Sequence, residues 1–316
     1  MSASDGPLFS IVIPVHDGEA FLDGCLASVM AQTERRFEVI VVDDGSQDAS
    51  RELAKRWAAR HPGRLSLAET GERAPRGIVH SYLTGVERAR GRYLAFLEQD
   101  DLWSERYLEH KARVLEEDAR GEIGVVFSPH RVVGHGLYGR DMVARQWLLG
   151  RRLPRDRPFD NSRALLRFNN VVSFSAFVCR RELWDGLPLP RDRSTPYFDW
   201  WLLAHSSMRS LFFYDTRSTV FWRCSAGSTL GRQSYRRHQE QLEAFFRELY
   251  ASLDHESARA GTATRQAFLK DQRVLPAQLA LLRHARPATF VAAFRLDPDW
   301  AVRMLTSLVV NRLKKR

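Results

Sequence analysis

Short apolar runs and longer amphipathic segments alternate along the first third of the chain. The apolar runs are rich in β-branched residues and are bounded by charged or turn-forming residues, which is typical of buried strands. The segments between them repeat apolar residues every three or four positions, as helices with one buried face do. The pattern predicts strands at 9–15, 37–42, 64–68 and 93–97, and helices at 20–32, 48–60 and 78–89. This alternation indicates a parallel sheet with helices on both faces.

The remainder of the chain is less regular. It predicts strands at 122–127 and 170–180, and helices starting near residues 102, 181, 198 and 232. Residues 129–170 are rich in arginine and have no sustained periodicity, and a loop this long in a compact domain is usually functional or disordered. Its position suits a lid over an acceptor, and a solvated arginine face is the alternative.

Three loops follow the predicted strands at their carboxyl ends, where parallel sheets bind ligands. They are Pro14–Asp17, Asp43–Ser46 and Glu98–Asp101. Neither a GxGxxG fingerprint after the first strand nor a Walker A sequence is present. A nucleotide would therefore have to be bound by acidic strand ends rather than by a glycine-rich loop.

The third loop places Glu98, Asp100 and Asp101 directly after an apolar strand. Desolvated like charges repel each other, so a buried strand that ends in three carboxylates needs a stabilising partner. A hard divalent cation is such a partner, since it takes carboxylate oxygens and keeps other positions for water and substrate phosphates. The alternative is that Asp101 or Ser104 caps a helix beginning near residue 102.

Composition narrows the class of protein. The chain has 316 residues, 44% of them apolar, which is enough for one sizeable core and an appendage. No apolar run is long enough to cross a membrane and the first residues do not resemble a signal peptide, so a cytoplasmic protein is expected. The three widely spaced cysteines are expected to be reduced core thiols. A net charge of +10 favours anionic partners, but nucleic acid is not expected because no motif for it is present.

Four ordered blocks carry a resemblance to a known family. They are Ser10–Asp17, Ser28–Thr33, Phe37–Ser46 and Ala89–Asp101. Together they resemble family 2 glycosyltransferases of bacterial type, which are inverting, metal-dependent enzymes that use nucleotide-diphosphate sugars. The resemblance covers roughly residues 8 to 230. It implies an α/β GT-A fold, Rossmann-like and mostly parallel, at residues 1–231, followed by a helical C-terminal extension at 232–316.

The resemblance also implies roles for residues near the first strands. Asp44 is similar to the aspartate that binds the N3–H of a pyrimidine, while Asp43 would fix the ribose or the turn itself. The nucleotide-binding set implied in this way is Pro14, His16, Asp17, Asp43, Asp44 and Gln99. A turn whose Asp and Gly satisfy local backbone groups is the plainer interpretation of residues 43–46.

Asp100 resembles the metal ligand of the family's DxD element, which implies Mg²⁺ or Mn²⁺ as cofactor. Glu98 replaces the first Asp of that element, and Asp101 completes the expected metal set. Tyr82 and Leu83 stand where the family often has Arg and Asn. Phosphate binding would then fall to Arg73 or Arg76 in the preceding loop.

Asp199 resembles the family's general base at the start of a helix, although Phe198 replaces the Glu that usually precedes it. An apolar, aromatic surround would raise the pKa of Asp199 toward useful basicity, and helix capping is compatible with that role. The resemblance further implies contacts to phosphate or acceptor from Trp200, Arg223 and Ser225. Ser225 stands where a metal- or phosphate-binding His is often found.

The implied activity is transfer of a sugar from a UDP- or dTDP-sugar to a hydroxyl of a glycan or lipid-linked acceptor, as in polysaccharide biosynthesis at a bacterial cell envelope. A protein of the same fold that binds nucleotide sugars without turnover is the alternative. Residues 300–316 combine apolar positions with five cationic residues and no acidic one. Such a basic amphipathic helix lies on the inner face of an anionic membrane, or docks on the core or a second subunit.

Overall fold

The computed structural model describes residues 6–70, 75–133, 153–166, 169–171, 173–223, 235–258, 265–266 and 268–269. The strands in this part of the chain are β1 Phe9–Val15, β2 Phe37–Asp43, β3 Leu65–Glu69, β4 Tyr93–Phe96, β5 Leu102–Trp103, β6 Ile123–Phe127, β7 His130–Val133, β8 Pro158–Phe159, β9 Phe177–Arg180, β10 Leu211–Tyr214 and β11 Val220–Arg223. The α-helices are α1 Glu19–Met30, α2 Ser50–Arg60, α3 Ile78–Arg88, α4 Tyr107–Glu117, α5 Ser162–Leu165, α6 Phe198–Ser207 and α7 Tyr235–Ser257. Short 3-10 helices span Phe174–Ala176 and Arg181–Leu183.

Within the described residues, one large sheet has the strand order β3-β2-β1-β4-β9-β6-β10-β8. Its first four strands are parallel, while β9 runs antiparallel to both β4 and β6. Strands β1, β2 and β4 are buried along their whole length, which explains their continuous apolar sequences. The expected mostly parallel α/β fold with flanking helices is confirmed.

A smaller sheet with the order β5-β11-β7 replaces part of an expected helix. The prediction that a helix begins near residue 102 is wrong, because Leu102 and Trp103 pair with Phe221 and Val220 and α4 begins only at Tyr107. The Trp103 indole N–H donates to the carbonyl of Ser175 at 2.8 Å. A long-range strand pair and a buried indole thus outweigh the local helical pattern.

The first helix of the predicted C-terminal extension packs on α6. Trp200 meets the rings of Phe245 and Phe246 with centroids 5.2 and 5.1 Å away, and His205 Nδ1 lies 2.8 Å from the Glu256 carboxylate. The boundary at residues 231 and 232 stays a prediction. Residues 300–316 lie outside the described part of the chain, and none of the helices described within it is long and apolar enough to cross a membrane.

Gly91 shows how closely β1 approaches the turn before β4. A Cβ atom at this position would lie 2.5 Å from the Ser10 nitrogen and 2.6 Å from the Phe9 carbonyl carbon, both of them backbone atoms. The Gly91 N–H also donates to the Ser10 hydroxyl at 2.7 Å. The central pair of strands therefore has no room for a side chain here.

We expect Gly91→Ala to lower the free energy of unfolding by about 1–3 kcal/mol, because the new methyl group has to displace backbone. The matched control is Gly24→Ala on α1, where a Cβ would meet only Leu102 Cδ2 at 3.8 Å. That change should be neutral or stabilising, since Ala favours a helix interior over Gly. Denaturant unfolding checks both, and equal stabilities for the two variants would contradict the expectation.

Candidate active site

The carboxyl ends of β1, β2 and β4 meet at one edge of the large sheet. Val15 pairs with Asp43 across β1 and β2, and the Asp44 N–H donates to the Val15 carbonyl at 2.8 Å. On the other side of β1, the Leu97 N–H donates to the Val12 carbonyl at 3.1 Å. The three loops singled out in the sequence therefore lie side by side.

The side chain of Gln99 joins the first and third of these loops. Its Oε1 accepts from the His16 backbone N–H at 2.9 Å, and its Nε2 donates to the His16 carbonyl at 3.0 Å. A Cβ at Gly18 would lie 2.3 Å from Gln99 Oε1, so the amide fits closely against a glycine. Both ends of the Gln99 amide are thus engaged with the loop that was expected to line the nucleoside pocket.

Asp43, the last residue of β2, and Asp44, which follows it, are both buried but have different partners. The Asp44 carboxylate accepts the backbone N–H groups of Arg76 at 2.9 Å and Gly77 at 2.7 Å, so it fixes the start of α3. Asp43 forms an ion pair with Arg51 at 2.7 Å and accepts the Ser46 N–H at 3.3 Å, in agreement with a role in the turn. 

The remaining members of the predicted nucleotide-binding set lie at the end of β1. Pro14 is buried within the strand, while His16 and Asp17 are exposed. Asp17 has a positive φ of 48° and accepts the Gln47 N–H at 2.7 Å, which ties this loop to the one after β2. His16 Nδ1 lies 3.0 Å from the Asp44 carbonyl oxygen.

The acidic residues after β4 differ in burial: Glu98 and Asp100 are half-buried, while Asp101 is enclosed by the protein. Asp101 is fully buried, and its Oδ1 accepts the Arg223 N–H at 2.9 Å. Its Oδ2 accepts no hydrogen bond of ordinary geometry, although the nearby Ser175 hydroxyl counteracts part of the rise in its pKa. Burial and, second, the charge of Asp100 raise the pKa of Asp101. Asp101 is therefore a buried acid rather than the helix cap considered above.

Its neighbours share this environment. Burial raises the pKa of Asp100, and burial followed by the charges of Asp101 and Asp100 raises that of Glu98. Arg223 opposes the rise at Asp100, and its Nε donates to the Asp100 carbonyl at 3.2 Å. The Arg223 guanidinium lies 4.7 Å from the centre of the Phe21 ring, which holds the cation at the rim of the acidic group.

Asp199 is the second residue of α6 and is 9% exposed. Its Oδ1 accepts the Trp200 N–H at 2.7 Å, and its Oδ2 accepts from Asn169 Nδ2 at 2.8 Å. Burial raises the pKa of Asp199 from 3.8 to about 7. The helix begins after Tyr197, so Asp199 is inside the first turn rather than at the cap.

Tyr82 connects these two acidic regions. Its ring stacks on Phe174 at 4.0 Å and meets the edge of Phe96 at 5.5 Å. Burial raises the pKa of Tyr82 well above its ordinary value, and four carboxylates add to the rise: Glu98, Asp199, Asp101 and Asp100. The charge of Asp199 also raises the pKa of Glu98. The end of β4 and the start of α6 are therefore close enough for their charges to interact.

In the sequence, Tyr82 stands out only because the family often has Arg at this position. That departure from the family pattern was the available signal, because the residues that surround its ring are distant in sequence. Tyr82 itself is 0% exposed, and its hydroxyl has no hydrogen-bond partner among the described residues.

Some predicted site residues lie apart from these acidic residues or outside the described part of the chain. The Trp200 indole N–H donates to the Leu165 carbonyl at 2.5 Å, and its ring packs in the core against α7. The side chain of Arg76 is exposed, although its backbone binds Asp44. Arg73 and Ser225 lie outside the described part of the chain.

The acidic group can accommodate a divalent cation that takes few protein ligands. Across the described ranges, no three His, Cys, Asp or Glu side chains are grouped as a complete metal site. However, Asp101 is fully buried, and the charge of Asp100 adds to the rise in its pKa. These residues fit Mg²⁺ or Mn²⁺, which bind through one or two carboxylates together with substrate phosphates.

A mostly parallel sheet with acidic loops at its carboxyl edge is typical of a GT-A type protein, and comparisons with known proteins agree. The family model described as "Glycosyl transferase family 2" matches residues 10–186, more than half of the chain, and the chain belongs to that family. The uncharacterized glycosyltransferase EpsJ of Bacillus subtilis (strain 168) is 32% identical over 120 residues. That segment covers 38% of this chain and 33% of EpsJ, so the match spans about a third of the relative.

Solved structures of the same fold include two nucleotide-sugar complexes. S. aureus TarS 1–349 in complex with UDP-GlcNAc superimposes with a TM-score of 0.58 and 16% identity, covering 92% of this chain and 75% of TarS. The mannosyltransferase PcManGT from Pyrobaculum calidifontis, in complex with GDP-Man and Mn²⁺, gives a TM-score of 0.55 and 19% identity, covering 98% and 81%. At these identities the likeness establishes the fold.

The burial of Asp199 predicts a pH-dependent stability. A carboxyl group whose pKa rises from 3.8 in the unfolded chain to about 7 in the fold stabilises the fold fully below pH 3.8. This contribution is lost as the pH rises to about 7, so we expect the melting temperature of the metal-free protein to fall over that window. Asp199→Asn cannot ionise at this position, so its melting temperature should fall less steeply than that of the wild type between about pH 5 and pH 7.5.

The matched control is Asp185→Asn, because Asp185 is exposed and should leave the wild-type slope unchanged. Glu98, Asp100 and Asp101 act in the same direction, so some slope should remain in the Asp199 variant. Identical slopes for wild type and Asp199→Asn would show that Asp199 does not carry the raised pKa.

Proposed function

We propose that this protein is an inverting glycosyltransferase that moves a sugar from a nucleotide-diphosphate donor to a hydroxyl of a glycan or lipid-linked acceptor. The observation that carries the proposal is the buried carboxylate of Asp199, held by Asn169 and the Trp200 N–H, whose pKa burial raises to about 7 and whose charge reaches Glu98 at the end of β4. Membership of glycosyl transferase family 2 supports it. The donor is a UDP- or dTDP-sugar in this proposal, which the UDP-GlcNAc complex of TarS supports.

The nucleoside lies over the ends of β1 and β2. Asp44 is held rigidly by two backbone N–H groups and still has lone pairs for the N3–H of a pyrimidine. The Gln99 bonds to His16 fix the loop that lines the other side of the base. Asp43 acts by holding its turn through Arg51, and the nucleoside binds to a surface that is already formed.

Asp100, with Asp101 and Glu98 beside it, holds the divalent cation. A bound cation would supply positive charge that offsets the charge developing on the leaving nucleotide. The carboxylates at this position repel one another, so the cation also relieves an electrostatic cost within the fold. Arg223, fixed by Phe21 and the Asp100 carbonyl, adds a further positive charge at the rim.

Asp199 takes the proton from the acceptor hydroxyl as that oxygen attacks the anomeric carbon. The bond from the anomeric carbon to the phosphate oxygen breaks at the same time, and the nucleoside diphosphate leaves with those electrons. A single displacement of this kind inverts the anomeric configuration. A base whose pKa lies close to neutral is well matched to this proton transfer, which typically contributes about 10²–10⁴-fold.

The direct test incubates the full chain with Mn²⁺ and a panel of donors comprising UDP-GlcNAc, UDP-glucose, UDP-galactose, dTDP-glucose and GDP-mannose. Release of nucleoside diphosphate above the protein-free rate supports the enzyme, since many glycosyltransferases hydrolyse donors slowly without acceptor. Metal-dependent protection against melting without release would instead support a nucleotide-sugar-binding protein. This alternative is considered because Phe198, a buried residue without a carboxylate, stands where the family usually has Glu.

Asp199→Asn should lower turnover by about 10²-fold or more, because it removes the group that accepts the proton. Affinity for UDP should change little, since Asp199 faces the acceptor side of the cleft. Steady-state nucleotide release and calorimetric titration with UDP check the two statements. Asp185→Asn is the control and should keep wild-type turnover, and near-normal turnover in Asp199→Asn would remove it from the role of base.

Asp100→Ala should weaken UDP binding in the presence of Mn²⁺ by at least roughly tenfold, as expected for a direct metal ligand. Without Mn²⁺, in EDTA, the variant and the wild type should bind UDP equally. Isothermal titration calorimetry under both conditions makes the comparison, with Asp185→Ala as the control. An unchanged affinity with Mn²⁺ would show that Asp100 does not hold the cation.

A further inference from the structure

The carboxylate of Asp199 is held at two points by different parts of the chain. Its Oδ1 accepts the N–H of Trp200, the next residue of α6, at 2.7 Å. Its Oδ2 accepts from the side-chain amide of Asn169, which lies 30 residues earlier in the sequence, at 2.8 Å. One contact on each oxygen fixes the plane of the carboxylate, so the direction in which Oδ2 can accept a proton depends on Asn169.

The amide of Asn169 has one orientation that satisfies both of its neighbours. Its Oδ1 accepts the N–H of Val171 at 3.1 Å, which leaves Nδ2 to face Asp199. The reversed amide would set two donors against each other at Val171 and two acceptors against each other at Asp199. The backbone of its own segment therefore fixes Asn169 as a donor to Asp199.

The segment that carries Asn169 is itself anchored. The side chains of Asn170 and Asn161 exchange two hydrogen bonds, of 2.7 and 3.1 Å, and both residues are buried. Asn161 directly precedes α5, and the carbonyl of Leu165 at the end of α5 accepts the indole N–H of Trp200. These contacts join the segment to α6 and hold the amide at a constant distance from the carboxylate.

An amide suits a carboxylate that has to act as a base. Burial favours the protonated form of Asp199, while the N–H donors of Trp200 and Asn169 favour the charged form. A lysine or arginine in this place would add a full positive charge and lower the basicity further, and an apolar residue would leave burial unopposed at Oδ2. An amide has no ionisable proton, so it supports the charged form without competing for the proton of the acceptor.

We propose that Asn169 is a positioning residue, which aims Oδ2 of Asp199 at the acceptor hydroxyl and favours the ionised carboxylate. This inference rests on the proposed function, in which Asp199 is the base. Asn169 itself neither takes the proton nor contacts the reacting atoms. A carboxylate oxygen has two lone pairs, so Oδ2 can hold the amide and still accept from the acceptor hydroxyl.

The test is Asn169→Ala, which removes the donor, together with Asn169→Leu, which removes the donor but nearly keeps the volume. In both variants, the acid limb of the pH–kcat profile for nucleotide release should move up by about one pH unit, because one hydrogen bond to the charged form is lost. From a starting pKa of about 7, this shift alone should lower kcat at neutral pH about fivefold. Affinity for UDP should stay within about twofold, since Asn169 acts only through the base.

The matched control for lost stability is Val125→Ala, a truncation inside the buried strand β6. It should lower the melting temperature but leave the acid limb where it is in the wild type. An acid limb that coincides with that of the wild type in either Asn169 variant would overturn the inference, because the donor is absent from both.

Melting of the metal-free protein tests the same contact without turnover. Ionisation of the buried carboxyl costs more without the amide, so the deficit in melting temperature of Asn169→Ala should grow as the pH rises from about 6 to about 8.5. In the Asp199→Asn background, the same change should give a deficit that does not depend on pH. A constant deficit in both backgrounds would overturn the inference and leave the proposed enzyme intact. If the wild type releases nucleotide from none of the donors, the proposed function itself fails, and the role of Asn169 with it.

Discussion

The partial or full removal of four carboxylates from water is the constraint on which this structure depends. Glu98, Asp100 and Asp101 follow β4, and Asp199 lies in the first turn of α6. Burial raises the pKa of each. A fold tolerates such a cost only when the rest of its core is strong enough. Here β1, β2 and β4 are buried along their full length. At Gly91, the turn before β4 packs directly against the backbone of β1.

The same constraint links stability to chemistry. In the proposed enzyme, a cation and a sugar donor would neutralise or satisfy carboxylates that are otherwise unfavourable to bury. Asp199 illustrates this best, because the burial that destabilises its charged form also brings its pKa close to the value a general base needs. The buried ion pair of Lys111 with Asp215 elsewhere in the core is different, because Lys111 Nζ also donates to the Ser218 hydroxyl.

Local pattern was sufficient for the first half of the fold. Strand β1 was predicted with its observed bounds, and β2 and α3 within one residue, because buried parallel strands and amphipathic helices have distinct periods. Leu102 and Trp103 were predicted as helix because their strand partner, β11, lies more than a hundred residues away.

The sequence likewise predicted some parts of the candidate site and not others. The acidic residues could be placed at one sheet edge because parallel strands have their carboxyl ends together. Trp200 sits in the core rather than in the cleft, since the helix face it occupies is decided by contacts with α7. The burial of Tyr82 could not be predicted from sequence, because it arises from Phe96 and Phe174, which come from separate elements.

The position of Gln99 between Glu98 and Asp100 has a consequence for how ligands cooperate. Its amide forms hydrogen bonds with both the N–H and the carbonyl of His16. The acidic loop and the loop after β1 are therefore expected to move together. Ordering of these two loops by a nucleoside also orders the carboxylates, and ordering by a cation also fixes the nucleoside loop. By thermodynamic reciprocity, each ligand then strengthens the binding of the other by the same factor.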